Sequence, residues 1–224
     1  MKKLTVLLTG VLFSLTAFTQ GSIDNEVYFR FGFSLPSWKQ FGGTEADWQN
    51  AGNFKRKGFM GEVGTIFMLK SIPLPDGMAI GVNPDYLSVY WNQFTDDEAG
   101  NKRDFRTLRL DSKVGPSFTY SPVNKIAFDV YVKADINWFT GTIYTVNDDT
   151  DNADIYGDFM AIGLSTGINV RLSVVMLGFE FNTLSSKLEN SDDLGTYVGN
   201  FMDMTDNGDK SKLPCFNFSL GFSF

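Results

Sequence analysis

Residues 126–138 read Ile126-Ala127-Phe128-Asp129-Val130-Tyr131-Val132-Lys133-Ala134-Asp135-Ile136-Asn137-Trp138, and their alternation decides the fold. Ile126, Phe128, Val130, Val132, Ala134, Ile136 and Trp138 fall on one face. Ala127, Asp129, Tyr131, Lys133, Asp135 and Asn137 fall on the other. Successive side chains of a strand point to opposite sides, so the segment reads as a strand with one apolar and one charged face. In a chain that is 43% hydrophobic, seven apolar residues at every second position arise by chance in roughly 0.3% of windows.

The C-terminal segment repeats the pattern. Phe216, Phe218, Leu220, Phe222 and Phe224 oppose Cys215, Asn217, Ser219, Gly221 and Ser223. The same rule gives six more strands. Glu26 to Leu35 opposes Val27, Phe29, Phe31, Phe33 and Leu35 to Tyr28, Arg30, Gly32 and Ser34. Gly58 to Lys70 opposes Phe59, Val63 and Phe67 to Met60, Glu62 and Gly64. Arg106 to Tyr120 opposes Leu108, Leu110, Val114 and Phe118 to Thr107, Arg109, Asp111 and Lys113. Asp158 to Val170 and Val174 to Thr183 follow, the latter with Glu180 on its polar side. In Met78 to Asn92 the apolar phase slips from Ile80 and Val82 to Leu87, Val89 and Trp91, and a bulge is expected at Pro84, which cannot donate to a ladder.

Connections alternate in length. Ser71 to Gly77, Ser121 to Lys125 and Arg171 to Ser173 are short; Pro36 to Arg56, Gln93 to Asp104, Tyr144 to Gly157 and Leu184 to Lys212 are long. Eight strands with short turns at one end and long loops at the other describe an up-and-down barrel, and in outer-membrane barrels the long loops face outside. Met1-Lys2-Lys3, the apolar run Leu4 to Phe18 and small residues before Gln20 fit a cleaved secretory signal over residues 1–19, leaving 20–224 as the barrel domain. The apolar run is short of the ~20 residues a spanning helix needs.

Composition closes off several functions. The 224 residues include no histidine, which removes Ser-His-Asp and Cys-His catalysis and histidine metal sites. One cysteine, Cys215, excludes an intramolecular disulfide. Without Lys2 and Lys3, 17 basic residues face 26 acidic ones, a net charge of −9, which argues against a nucleic-acid partner.

A soluble barrel hides its apolar face, whereas a membrane barrel turns it to lipid and points the polar face inward. The face opposite the aromatic rows carries Arg30, Glu62, Arg109, Asp111, Lys113, Asp129, Lys133, Asp135 and Glu180. An eight-stranded interior is only wide enough for side chains, so these groups are expected to pair as a structural lumen network, balanced with Arg171 near the turn. The signal segment and terminal Phe224 favour the membrane alternative. Trp91, Trp138, Phe139 and Phe181 toward the long loops, and Phe118, Tyr120, Phe128, Phe222 and Phe224 toward the turns, read as interfacial girdles.

The signal segment, the alternating strands and the ending Asn217-Phe218-Ser219-Leu220-Gly221-Phe222-Ser223-Phe224 resemble the small outer-membrane β-barrel proteins of the Bacteroidetes type, including the PorT-like group, and the architecture is similar to the OmpX and OmpA barrels. The resemblance implies that Phe218, Phe222 and Phe224 form the signal read by the barrel assembly machinery. It leaves activity open.

Asp149-Thr150-Asp151 and Asp203 to Gly208 approach calcium-loop spacing, but Ala153 and Asp154 stand where a ligand and the turn glycine belong, and Pro214 stands where the closing Glu belongs. No catalytic residue, cofactor or specific metal site is expected. The expected function is a non-enzymatic scaffold displaying acidic extracellular loops in the outer membrane. Its partners would be outer-membrane lipid and lipopolysaccharide, the assembly machinery and a surface or secretion-system protein. The alternative is a narrow channel or small-ligand carrier through the lumen.

Overall fold

The computed structural model describes residues 23–36, 55–96, 103–123, 125–146, 154–158, 160–186, 189–191 and 211–224. They form twelve antiparallel strand segments: β1 (Glu26–Pro36), β2 (Lys55–Met68), β3 (Met78–Val82), β4 (Asp85–Asp96), β5 (Arg103–Val114), β6 (Pro116–Val123), β7 (Ile126–Val146), β8 (Asp154–Asp158), β9 (Ile162–Leu172), β10 (Val175–Ser186), β11 (Glu189–Ser191) and β12 (Ser211–Ser223). No helix among the described residues is long and apolar enough to cross a membrane, which says nothing of strands.

Pairings run β1–β2–β4–β5–β7–β9–β10–β12 and return from β12 to β1. The sheet therefore closes on itself and leaves no open edge along this ring, as a sheet in lipid requires. β3 and β6 continue the lines of β4 and β5 beyond Asn83-Pro84 and Gly115 and pair with each other, while β8 and β11 pair at the opposite end of the wall. The last residue helps to close the ring: Val27 and Phe224 exchange both backbone hydrogen bonds, at 2.8 and 2.9 Å.

Polarity is inverted relative to a water-soluble barrel. On β1, Glu26, Tyr28, Arg30 and Ser34 are buried, and Val27, Phe29, Phe31, Phe33 and Leu35 are exposed. On β7, Asp129, Tyr131, Lys133 and Asp135 are buried while Phe128, Val130, Val132 and Trp138 face out. Rings on the outer surface touch one another, as in Phe179 with Phe218 (5.4 Å between centroids) and Phe59 stacked on Trp91 (5.9 Å). An apolar wall of this extent around a charged interior is stable where the surrounding solvent is lipid.

The turn end is tied together by backbone bonds between neighbouring turns. Ser173 N donates to Lys125 O at 2.7 Å, and Ser121 N donates to Gly77 O at 2.6 Å. Gly77 has φ +80°, a conformation that costs glycine nothing.

Several expected boundaries change. Asp85 is buried, Tyr86 and Leu87 are both exposed, and Ser88 is buried again, so the phase slip falls at Tyr86-Leu87 and not at Pro84. Pro84 keeps its carbonyl in use, accepting from Thr65 N at 2.9 Å. β7 does not stop at Trp138: a second irregularity there, opposite Leu110/Asp111, resets the phase, and the strand runs on to Val146. The sixth expected strand starts later, as β9 from Ile162, and Asp158 instead ends the separate β8. The long connections shorten accordingly, because β4, β5, β8, β10 and β11 all extend into them. At 21 residues, β7 is about twice the ~9–11 that a tilted spanning strand needs, so the wall rises beyond the lipid on this side. Lys57, Gln93 and Arg106, which share one register row, mark where the outer face turns polar.

Val130, near mid-strand on the outer face, provides the direct check on this assignment. Val130→Arg should lower folding stability in bilayers by about 2–4 kcal/mol. Urea titration of vesicle-inserted protein measures it, and a neutral substitution in membrane-inserted protein would mean that the faces are reversed.

Candidate functional site: the charged lumen

All nine residues expected in the lumen point inward, and none is more than 4% exposed. Alternation puts them there, and the barrel brings together groups far apart in sequence. They assemble into three tiers stacked from the turn end toward the loop end.

The turn-side tier is centred on Arg171. Its guanidinium grips Asp129 with two parallel bonds, Nε to Oδ2 at 2.8 Å and one terminal nitrogen to Oδ1 at 2.9 Å, and its other terminal nitrogen donates to Glu26. Thr119 Oγ1 donates to Asp129 Oδ1 at 2.6 Å. Beside this tier Tyr28, Ile66, Met68, Ala79 and Met176 form a small apolar cluster, against which Ile23 packs.

The middle tier spans the bore. Arg30 from β1 reaches Glu62 on β2 and, at 3.0 Å, Glu180 on β10; its remaining terminal nitrogen donates to Asn169 Oδ1 at 2.8 Å. Lys113 from β5 crosses to the same two carboxylates, at 2.9 Å to Glu62 and 2.6 Å to Glu180. Lys133 from β7 pairs with Asp85 at 2.7 Å, and the Tyr28 hydroxyl also donates to Asp85. The Tyr131 hydroxyl donates to Glu180 at 3.0 Å, and the Lys133 ammonium lies 4.2 Å from the Tyr131 ring centroid. Three bases thus face three acids, and every carboxylate oxygen of the three acids accepts at least one bond.

The loop-side tier is built on Arg109, whose Nε lies 2.8 Å from Asp111 and whose guanidinium stacks 4.1 Å from the Tyr90 ring centroid. A terminal nitrogen of Arg109 donates across the bore to Asn182 Oδ1 at 2.9 Å, and the Asn182 amide donates in turn to Asp135. Asp135 has no cation within ion-pair distance among the described residues; hydrogen bonds through the Asn182 amide connect it to Arg109. This tier is less completely satisfied, since Ser34 Oγ, both amide heteroatoms of Asn92 and Asp135 Oδ1 have no hydrogen-bond partner.

Two glycines make this crowding possible. A methyl group at Gly167 would stand 2.5 Å from the Tyr131 hydroxyl, and one at Gly178 would stand 2.8 Å from an Arg30 nitrogen.

The expected balance of charge is corrected. Glu26 and Asp85 join the lumen, so among the described residues seven buried carboxylates of the inner face, Glu26, Glu62, Asp85, Asp111, Asp129, Asp135 and Glu180, face five bases, Arg30, Arg109, Lys113, Lys133 and Arg171. Glu26 has the inward parity of Tyr28 and Arg30 and is legible as the first residue of its strand. Asp85 is hidden by the Tyr86-Leu87 bulge, which reverses the phase between it and Val89. Glu62, Asp85 and Glu180 bring carboxylate oxygens within 4.8 Å of one another, a spacing suited to a metal ion. Lys113 Nζ lies 2.6 to 3.8 Å from all three, so the cation they face belongs to the chain. Cys215 is buried on the inner face beside Asn182 in the ladder. The calcium-like segments at Asp149 and Asp203, and most of the Leu184 to Lys212 connection, lie outside the described residues.

No protein-family model matches the chain, and no curated protein matches it in sequence. Among solved structures it is similar to Ail, the attachment invasion locus protein of Yersinia pestis, at 9% identity over 89% of this chain and 97% of that one, TM-score 0.44. It is also similar to the outer membrane protease OmpT from Escherichia coli, at 9% identity over 93% and 100%, TM-score 0.45. A third is the outer membrane protein OprG from Pseudomonas aeruginosa, at 10% identity over 91% and 98%, TM-score 0.37.

Removing one member of a buried pair strands the other. Lys133→Met should cost about 3–5 kcal/mol, and adding Asp85→Asn should recover most of it, because the double variant leaves no uncompensated charge. Denaturant titrations of the two single variants and the double variant measure the coupling; additive losses would show that Lys133 and Asp85 do not act as a pair.

Proposed function

We propose that the chain is an outer-membrane β-barrel acting as a plugged, non-catalytic scaffold that displays its acidic long-loop end to a partner or surface. The observation that carries this reading is the middle tier. Arg30 and Lys113 each bridge Glu62 and Glu180 from different walls, so the bore is crossed by side chains at its waist. A solute passing through would have to break several buried, charge-assisted bonds at once. That disfavours the channel alternative and leaves the loops as the part of the molecule free to vary and to recognise. The residue pattern that resembles the Bacteroidetes-type, PorT-like barrels supports placing the chain in that group, with the signal over residues 1–19 directing export.

In planar bilayers the intact protein should show no steps above leak, whereas Arg30→Ala combined with Lys113→Ala and Glu62→Ala should introduce discrete conductance if it folds. Steady conductance of the unaltered chain would replace the scaffold reading with the channel.

Assembly gives a second test. Phe218, Phe222 and Phe224 are proposed as the signal for the assembly machinery. Deleting Phe224 removes only one exchanged pair of backbone bonds from a long β1–β12 ladder. Refolding into detergent should therefore change little while the amount assembled in cells falls several-fold. Equal loss in both settings would make the residue structural.

A further inference from the structure

At the turn end the connection between β2 and β3 reads Leu69-Lys70-Ser71-Ile72-Pro73-Leu74-Pro75-Asp76-Gly77, with four apolar side chains or prolines between two charges. It borders a groove of about 780 Å³ at the turn-end mouth of the barrel, lined also by the buried Met68 and Ala79 and by the exposed Val123. That volume falls within the roughly 300–1,000 Å³ of ligand-sized pockets. Leu69, Ile72, Met78 and Val123 around it are 36–55% exposed. In water such a rim is a costly surface for a turn.

Two features identify the occupant. The apolar rim continues the outer face of the barrel without a break: Leu69 follows Phe67, and Met78 pairs with the outward Tyr120 in the ladder. The polar groups come in both signs. Lys70 Nζ pairs with Asp24 at 2.6 Å on the surface, and Asp76 lines the same groove. A ligand with an acyl chain, an anion and a cation matches that lining, whereas a purely anionic headgroup would meet two carboxylates beside one ammonium.

We infer that this groove holds one zwitterionic aminophospholipid of the leaflet at the turn end. An acyl chain lies along Leu69, Ile72 and Val123, the phosphate faces Lys70, and the amine faces Asp76 and Asp24. The inference rests on the reading of the chain as a membrane barrel and adds a specific lipid site to it.

The full chain refolded in mixed vesicles of phosphatidylethanolamine and phosphatidylglycerol, then extracted into mild detergent, can be measured by native mass spectrometry. One phosphatidylethanolamine should remain bound in preference to phosphatidylglycerol. Asp76→Asn with Lys70→Gln removes two charge-assisted contacts and should reduce that retention about a hundredfold, about tenfold for each. Val123→Ser should weaken retention of both lipids, and all variants should keep the heat-modifiable gel migration of a folded barrel. A folded protein that retains no lipid, or retains both lipids equally, or keeps its preference in the charge variant, overturns the lipid site alone. Failure to insert into vesicles at all would overturn the membrane reading with it.

Discussion

A charge carried into the bore of a narrow barrel has no bulk water to compensate it, and the inner face of this protein is arranged around that constraint. Lys113 shows it most plainly. Its ammonium is completely enclosed, and it is held by Glu62 and Glu180 from two separate strands. Arg30 holds the same carboxylates from a third strand. Each group would be expensive alone, and together they form a layer in which every carboxylate oxygen has a partner. Such a layer also fixes register: a slip of one residue would turn these charges into the lipid and the phenylalanines into the bore.

The outer face obeys a different rule. Lipid offers no hydrogen bonds, so the backbone must be satisfied within the sheet and the side chains must be apolar. Phe29, Phe31 and Phe33 on β1, facing Phe222, Leu220 and Phe218 on β12, meet that demand at the seam where the first and last strands join. The two faces therefore impose opposite requirements at every second residue, and the sequence cannot satisfy both with any other period.

That is why so much of the barrel is legible in the sequence. Residues 126–138 declare their faces because each inward position is polar or small and each outward one apolar. Legibility fails where the backbone departs from alternation. The Tyr86-Leu87 bulge reverses the phase in mid-strand and conceals Asp85, and the irregularity at Trp138 disguises the continuation of β7. Nor does parity reveal which inward groups pair. That Arg109 reaches Asp135 only through Asn182 depends on the shear of the sheet, which no single strand encodes. The tyrosines are visible as inward residues, but their part in the network, with Tyr28 on Asp85 and Tyr131 on Glu180, emerges only when the walls face one another.

Charges line the inside of this barrel and the apolar rows meet lipid. Single cysteines placed from residue 127 to residue 136 in a Cys215→Ser background, each carrying an environment-sensitive fluorophore in reconstituted vesicles, test this arrangement most directly. Quenching by brominated lipid chains should follow a period of two, strong at 128, 130, 132, 134 and 136 and weak at 127, 129, 131, 133 and 135. Quenching of the even positions by an aqueous quencher, with the lipid quencher without effect, would contradict it.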